Sequence, residues 1–171
     1  MREIYRAGWQ GSKLIGLMLI MAGLAAGSVW WGLDLYRHYG LSPGDGGVLA
    51  PLGQRVLAAG VVIGLGMAFL LAMVAFGRIY VMSVAVDGTG RTLYLRTLIF
   101  LWPVTRQVSA ADVMTAGFVD LENPRGRSTP YVWVRVKGSN GRARRFLVDL
   151  QGKVLDPAAL QRALRGSTPS A

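Results

Sequence analysis

Two uncharged apolar runs constrain this 171-residue chain more than any other feature. The first run covers residues 14–33 and the second covers residues 56–77, and neither contains an acidic, basic or histidine side chain. An α-helix rises about 1.5 Å per residue, so roughly twenty residues span the hydrocarbon core of a bilayer. The rest of so short a chain is too small to bury two such helices. The sequence therefore predicts two transmembrane helices, 14–33 and 56–77.

The charge distribution predicts the orientation of these helices. Residues 1–13 carry a net charge of +2, the segment 34–55 carries none, and residues 78–171 carry +8. Lys and Arg accumulate on the cytoplasmic side of membrane helices. We therefore expect a cytoplasmic N-terminal segment at 1–13, an external loop at 34–55, and a cytoplasmic domain that begins at residue 78.

Small residues recur at four-residue intervals in both runs, a spacing that places them on one helix face. Such faces let helix backbones approach closely in lipid, where the hydrophobic effect does not favour association. The predicted helix-packing residues are Gly23, Gly27, Gly60, Gly64, Ala68 and Ala72. The sequence leaves open whether these faces pack within the hairpin or against a partner protein.

The residue inventory excludes several kinds of chemistry. The chain has no cysteine, which excludes disulfides, thiolate zinc sites, iron–sulfur clusters and c-type haem attachment. Its single histidine, His38, lies in the loop that follows the first apolar run. The sequence contains no HExxH motif and no phosphate-binding loop motif. We therefore expect no bound cofactor or metal, no catalytic residue and no enzymatic activity.

After residue 78 the pattern changes from helical to extended. Runs rich in β-branched and aromatic residues, separated by turn signals such as Asn140-Gly141, predict five or six antiparallel strands. The predicted strands are 79–86, 91–102, 105–108, 114–121, 131–136 and 142–150. Asp156 followed by Pro157 predicts the start of a C-terminal helix. We expect a partly open antiparallel barrel over residues 78–166, capped by this helix, and a disordered tail at 167–171.

Three segments carry a resemblance to a known family. They are VAVDGTGRTLYLR at 84–96, SAADV at 109–113 and DPAALQRAL at 156–164. Their order resembles that of bacterial PH-like domains, which follow a two-helix transmembrane hairpin in small membrane proteins. The resemblance implies a PH-like fold for residues 78–166 and a location in the bacterial inner membrane.

The cytoplasmic domain concentrates basic residues around one hairpin and one loop. The predicted contact residues are Arg125, Arg127, Arg135, Lys137, Arg142, Arg144 and Arg145. Each basic residue near an anionic membrane surface contributes about 1 kcal/mol of attraction. The same residues also suit an acidic partner protein. The chain has no recognition element for nucleic acid, so we do not expect nucleic acid as a partner.

These observations together predict a non-enzymatic protein that acts through contacts. We expect an accessory, scaffold or assembly subunit of a larger bacterial inner-membrane complex, photosynthetic or respiratory, with other integral membrane subunits as partners. Both the transmembrane hairpin and the basic cytoplasmic domain would contact these partner subunits. The alternative is a stand-alone membrane-anchored PH-like module that binds anionic lipid headgroups or a peptide.

Overall fold

A computed structural model describes residues 1–41, 47–122, 128–138 and 141–165. The chain divides into two compact units. One unit is Gly16–Val74, which holds most of two long helices. The other combines Met1–Ile15 with Ala75–Ala171 and holds two antiparallel sheets and a short helix.

The two long helices are α1, Trp9–His38, and α2, Leu52–Ile79. They contain 30 and 28 residues and therefore extend beyond the predicted spans at both ends. Only 17% and 6% of their most apolar windows are buried, whereas the core helix of a soluble protein is mostly buried. By length and composition, both helices are long and apolar enough to cross a membrane.

The larger sheet has five antiparallel strands, and its order is β4-β3-β2-β1-β8. The strands are β1 (Arg2–Arg6), β2 (Val81–Val86), β3 (Thr92–Ile99), β4 (Trp102–Ser109) and β8 (Lys153–Val154). The strand β1 is absent from the sequence-based predictions, and it lies between β2 and β8. Both long helices lie in the chain between β1 and β2, although these two strands are hydrogen-bonded neighbours.

The smaller sheet has three antiparallel strands, β5 (Val113–Glu122), β6 (Ser128–Lys137) and β7 (Ala143–Asp149). Val132, Val134 and Val136 of β6 are buried, which confirms the alternation that the sequence predicts there. Their register partners on β7 include the buried Phe146 and Val148. This face therefore belongs to the hydrophobic core, together with buried side chains of the larger sheet.

One predicted strand, 91–102, is wrong because it contains a turn. β3 ends at Ile99, and β4 begins at Trp102, its register partner. Phe100 lies between them with a φ of 58°, a conformation that tight hairpin turns require and that Gly or Asn usually supplies. The apolar run gives no turn signal at this point, so its residue types indicate a continuous strand.

The last helix, α3 (Pro157–Arg165), begins as the sequence predicts. Oδ1 of Asp156 accepts a hydrogen bond from the backbone N–H of Ala159 at 2.9 Å, which is an N-cap interaction. The expected antiparallel domain with a C-terminal helix is thus confirmed. Its described strands form two sheets and not a closed barrel.

Candidate functional site

Two glycines outside the predicted faces form the contact between α1 and α2. A Cβ atom built on Gly66 would lie 2.6 Å from Cβ of Ser28. One built on Gly32 would lie 2.5 Å from Cγ1 of Ile63 and 3.1 Å from the carbonyl oxygen of Ala59. Only glycine permits such close approach, so these two positions determine how tightly the helices pack.

The predicted small-residue faces lie away from this contact. All six predicted residues are exposed. They are Gly23, Gly27, Gly60, Gly64, Ala68 and Ala72. A Cβ atom built on any of the four glycines would meet nothing within 4 Å. Within the described part of the hairpin, the glycines of these faces therefore have no packing neighbour, and their packing against a partner stays a prediction.

The predicted basic residues divide between the two faces of the three-stranded sheet. Arg135 and Arg145 are exposed and lie directly opposite each other in the register of β6 and β7. Arg144 instead lies opposite Val136, in the alternating row that continues to Phe146 on the core side. Lys137 and Arg142 are exposed near the β6–β7 connection. Arg125 and Arg127 lie outside the described residues.

The Arg135–Arg145 pair has an energetic cost. Like charges directly opposite each other in an antiparallel pair are destabilising. In the described part of the chain, no acidic side chain forms an ion pair with either residue. This face of the sheet is therefore electrostatically suited to a negatively charged neighbour.

Arg106 is a candidate residue that is absent from the sequence-based predictions. It lies on β4 opposite Leu95, whose side chain is buried, so it occupies the core side of the five-stranded sheet. Its Nε atom is buried and has no hydrogen-bond partner among the described residues. Burial lowers the pKa of its guanidinium, and the charges of Arg144 and Arg78 lower it further. The sequence contains a signal for this position. In the segment VTRQV, strand alternation places Arg106 on the same side of the sheet as the valines before and after it.

Arg106 and Arg144 line a common cleft of about 250 Å³ between β4 and the strands β6 and β7. Lys137 also lines it, and Asp112 is the acidic residue at its wall. Phe146, which is buried, contributes an apolar surface. The tertiary structure thus brings two predicted basic residues together with one that was not predicted.

Two buried tyrosines meet at Asp149. The hydroxyl of Tyr5 donates to the backbone carbonyl of Asp149 at 2.6 Å, and the hydroxyl of Tyr80 donates to Oδ2 of its carboxylate at 3.2 Å. Burial, and secondarily the charge of Asp149, raises the pKa of both tyrosines well above the ordinary value of 10. Both hydroxyls therefore remain donors at neutral pH, and the cluster ties β1 and the residue after α2 to the end of β7.

The described residues offer little for metal chemistry. Among them, no three His, Cys, Asp or Glu side chains could share a metal ion. His38 lies one helical turn from Asp34, and its Nδ1 is 2.8 Å from Oδ1 of that residue. Both side chains are exposed, so this is a surface interaction.

Comparison with known proteins gives no further assignment. No family model matches the chain, and no curated protein matches it. Its function is therefore inferred from the arrangement of its own residues.

Proposed function

We propose that the protein is a non-enzymatic accessory, scaffold or assembly subunit of a larger complex in a bacterial inner membrane. The complex belongs to the photosynthetic or respiratory energy-transducing class. Helices α1 and α2 cross the membrane, and both termini are cytoplasmic. Residues 78–166 form a PH-like docking domain, and the chain itself holds no cofactor.

The observation that supports this proposal most directly is the direction of the small-residue faces. Gly66 and Gly32 serve the contact inside the hairpin, whereas Gly60 and Gly64 have open space beyond them. Glycine is valuable in a membrane helix where another backbone approaches closely. The outward faces of both helices therefore suit neighbouring transmembrane helices of other subunits.

The basic sheet face provides a second contact with the same partners. Arg135 and Arg145 present adjacent, exposed positive charges without an acidic partner in the described residues. Complementary charge chiefly increases association rate and specificity. The hairpin therefore supplies close packing, and the domain supplies orientation.

The test is gentle extraction of the tagged chain from its native membrane, followed by identification of the proteins that co-migrate. Replacing both Gly60 and Gly64 by Leu should remove the co-migrating subunits, because the added side chains hold the backbones apart. The control is Val61→Phe, which adds bulk at an exposed position on an adjacent helix face. Retention of the partners by the double glycine variant would show that these faces meet lipid.

The second candidate is a stand-alone membrane-anchored module that binds anionic lipid or a peptide. The exposed Arg135–Arg145 pair favours it, since basic residues near a membrane attract anionic headgroups. Two results together would favour this function over the first. The chain would purify alone under gentle extraction, and with its spans reconstituted it would prefer anionic to neutral vesicles.

A further inference from the structure

Two buried polar atoms on the core side of the five-stranded sheet have no partner among the described residues. They are Nε of Arg106 and Oγ1 of Thr97. Thr97 lies on β3 two residues from Leu95, the register partner of Arg106. Buried polar groups are almost always hydrogen-bonded, and unpaired ones are costly. Arg106 therefore holds a buried donor without a partner among the described residues, and the same residue lines the adjacent cleft.

The charge of the cleft indicates the chemistry of that group. Three basic residues line it, Arg106, Lys137 and Arg144, against one acidic residue, Asp112. None of the four takes part in an ion pair within the described part of the chain. The net charge of the lining is thus +2. The Arg106 guanidinium is partly desolvated, which strengthens its attraction for an anion.

We propose that this cleft binds one phosphomonoester group, held by the guanidinium groups of Arg106 and Arg144, with Lys137 beside them at the end of β6. A phosphomonoester carries a charge of about −1.5 to −2 at neutral pH, which balances the lining, whereas one carboxylate leaves a positive charge uncompensated. Arginine also matches phosphate oxygens with two parallel N–H donors. The cleft volume of about 250 Å³ is several times the roughly 30 Å³ that one water occupies in the liquid.

Two sources carry this chemistry, namely soluble phosphate and a lipid headgroup that ends in a phosphomonoester. The lipid source rests on the membrane location in the proposed function. The cleft itself does not, because all its lining residues belong to the sheet unit. Its occupancy is therefore measurable independently of any partner subunit.

The experiment uses the full chain in two arms. In neutral detergent, inorganic phosphate is titrated at constant ionic strength, with chloride as compensation, and heat of binding is recorded. In nanodiscs, thermal stability is compared between phosphatidylcholine alone and phosphatidylcholine with phosphatidic acid. The variants are Arg106→Gln and Arg144→Gln. The control is Arg91→Gln, which removes the same charge from an exposed turn outside the cleft.

We expect saturable binding in at least one arm, weakened about tenfold or more by each cleft variant, as for loss of a charge-assisted hydrogen bond. The Arg91→Gln variant should bind like the original chain. A response in detergent identifies soluble phosphate as sufficient, and a response only with phosphatidic acid identifies the lipid headgroup. No saturable response in either arm, or an equal loss in Arg91→Gln, overturns the proposal. The co-migration of partner subunits is read separately, so failure of one proposal does not imply failure of the other.

A stability measurement on Arg106→Met separates a binding role from a structural one. In phosphate-free detergent this variant should have a higher Tm than the original chain, because it removes a buried donor without a partner. Its Tm should rise less than that of the original chain when the same concentration of phosphate or phosphatidic acid is added. A lower Tm in phosphate-free buffer would mean that Arg106 serves the fold itself, and would overturn the proposal.

Discussion

Gly64 and Gly66 are chemically identical and two residues apart, yet the structure gives them different surroundings. Successive residues of an α-helix are rotated by about 100°, so these two point to nearly opposite sides of α2. Gly66 faces Ser28 of α1, and Gly64 faces open space. Stability and association are therefore separable by single substitutions.

Gly66→Leu should lower the free energy of unfolding by about 1–3 kcal/mol, as overpacked positions do. The side chain would enter the space that Ser28 occupies. Gly64→Leu, measured in the same detergent by the same unfolding assay, should leave the stability of the isolated chain unchanged. Equal losses in both variants would contradict the arrangement of the hairpin.

The buried tyrosines predict a loss of stability at high pH. The pKa values of Tyr5 and Tyr80 are raised in the folded state, so above about pH 10 the unfolded chain binds fewer protons than the folded one. Their contribution is complete below that pH and decreases as pH rises, by up to about 1.4 kcal/mol per unit for each tyrosine.

Denaturant unfolding between pH 9 and pH 11 measures this decrease. The double variant Tyr5→Phe, Tyr80→Phe should flatten it. The control Tyr94→Phe should not, because the hydroxyl of Tyr94 forms no hydrogen bond in the described structure. If the double variant lost stability with rising pH as steeply as the original chain, groups other than Tyr5 and Tyr80 would be the cause of the loss.

At the scale of elements, the least expected feature is the interior position of β1 in the five-stranded sheet. The strand lies between β2 and β8, and its residues Ile4 and Tyr5 are fully buried. Gly152, in the turn before β8, approaches this strand closely. A Cβ atom built there would lie 2.7 Å from the hydroxyl of Tyr5 and 2.8 Å from the carbonyl oxygen of Arg6.

Gly152→Ala should therefore destabilise the sheet unit by about 1–3 kcal/mol, since a backbone oxygen cannot move aside without breaking the strand pairing. Gly117→Ala on β5 is the matched control, because a Cβ atom there meets nothing within 4 Å. Thermal unfolding compares the two. If Gly152→Ala left the stability of the sheet unit unchanged, β1 and this turn would not be packed closely together.

At the scale of the whole molecule, the proposed function places residues 34–55 on the external side of the membrane and both termini on the cytoplasmic side. The chain contains no cysteine, so single cysteines report topology without background. Val48 and Thr89 are both exposed and suit such substitutions.

Val48→Cys should react with a membrane-impermeant maleimide in intact cells, and Thr89→Cys should react only after permeabilisation. The physical reason is the accumulation of Lys and Arg at the two ends of the chain and not in the loop. The reverse labelling pattern would invert the orientation and remove the cytoplasmic docking domain from the proposal.

The sequence by itself determined those structural features that depend only on residues close together in the chain. The uncharged runs 14–33 and 56–77 predict long apolar helices, because length and composition alone set what a helix can span. The alternation at 131–136 predicts the buried face of β6, and Asp156 predicts the start of α3. In each case neighbouring residues contain the whole physical reason.

Only the tertiary structure decided which distant residues meet. The short segment Arg2–Arg6 has no clear alternation, because a bulge between Glu3 and Tyr5 buries two consecutive residues, and its strand identity depends on β2 and β8. The helix contact uses Gly66 because relative helix rotation selects the face, and the sequence of either helix alone does not specify it. Arg106 and Arg144 share a cleft because two separate sheets bring their strands together. Residue type and spacing within one strand do not determine contacts between strands that are distant in the chain.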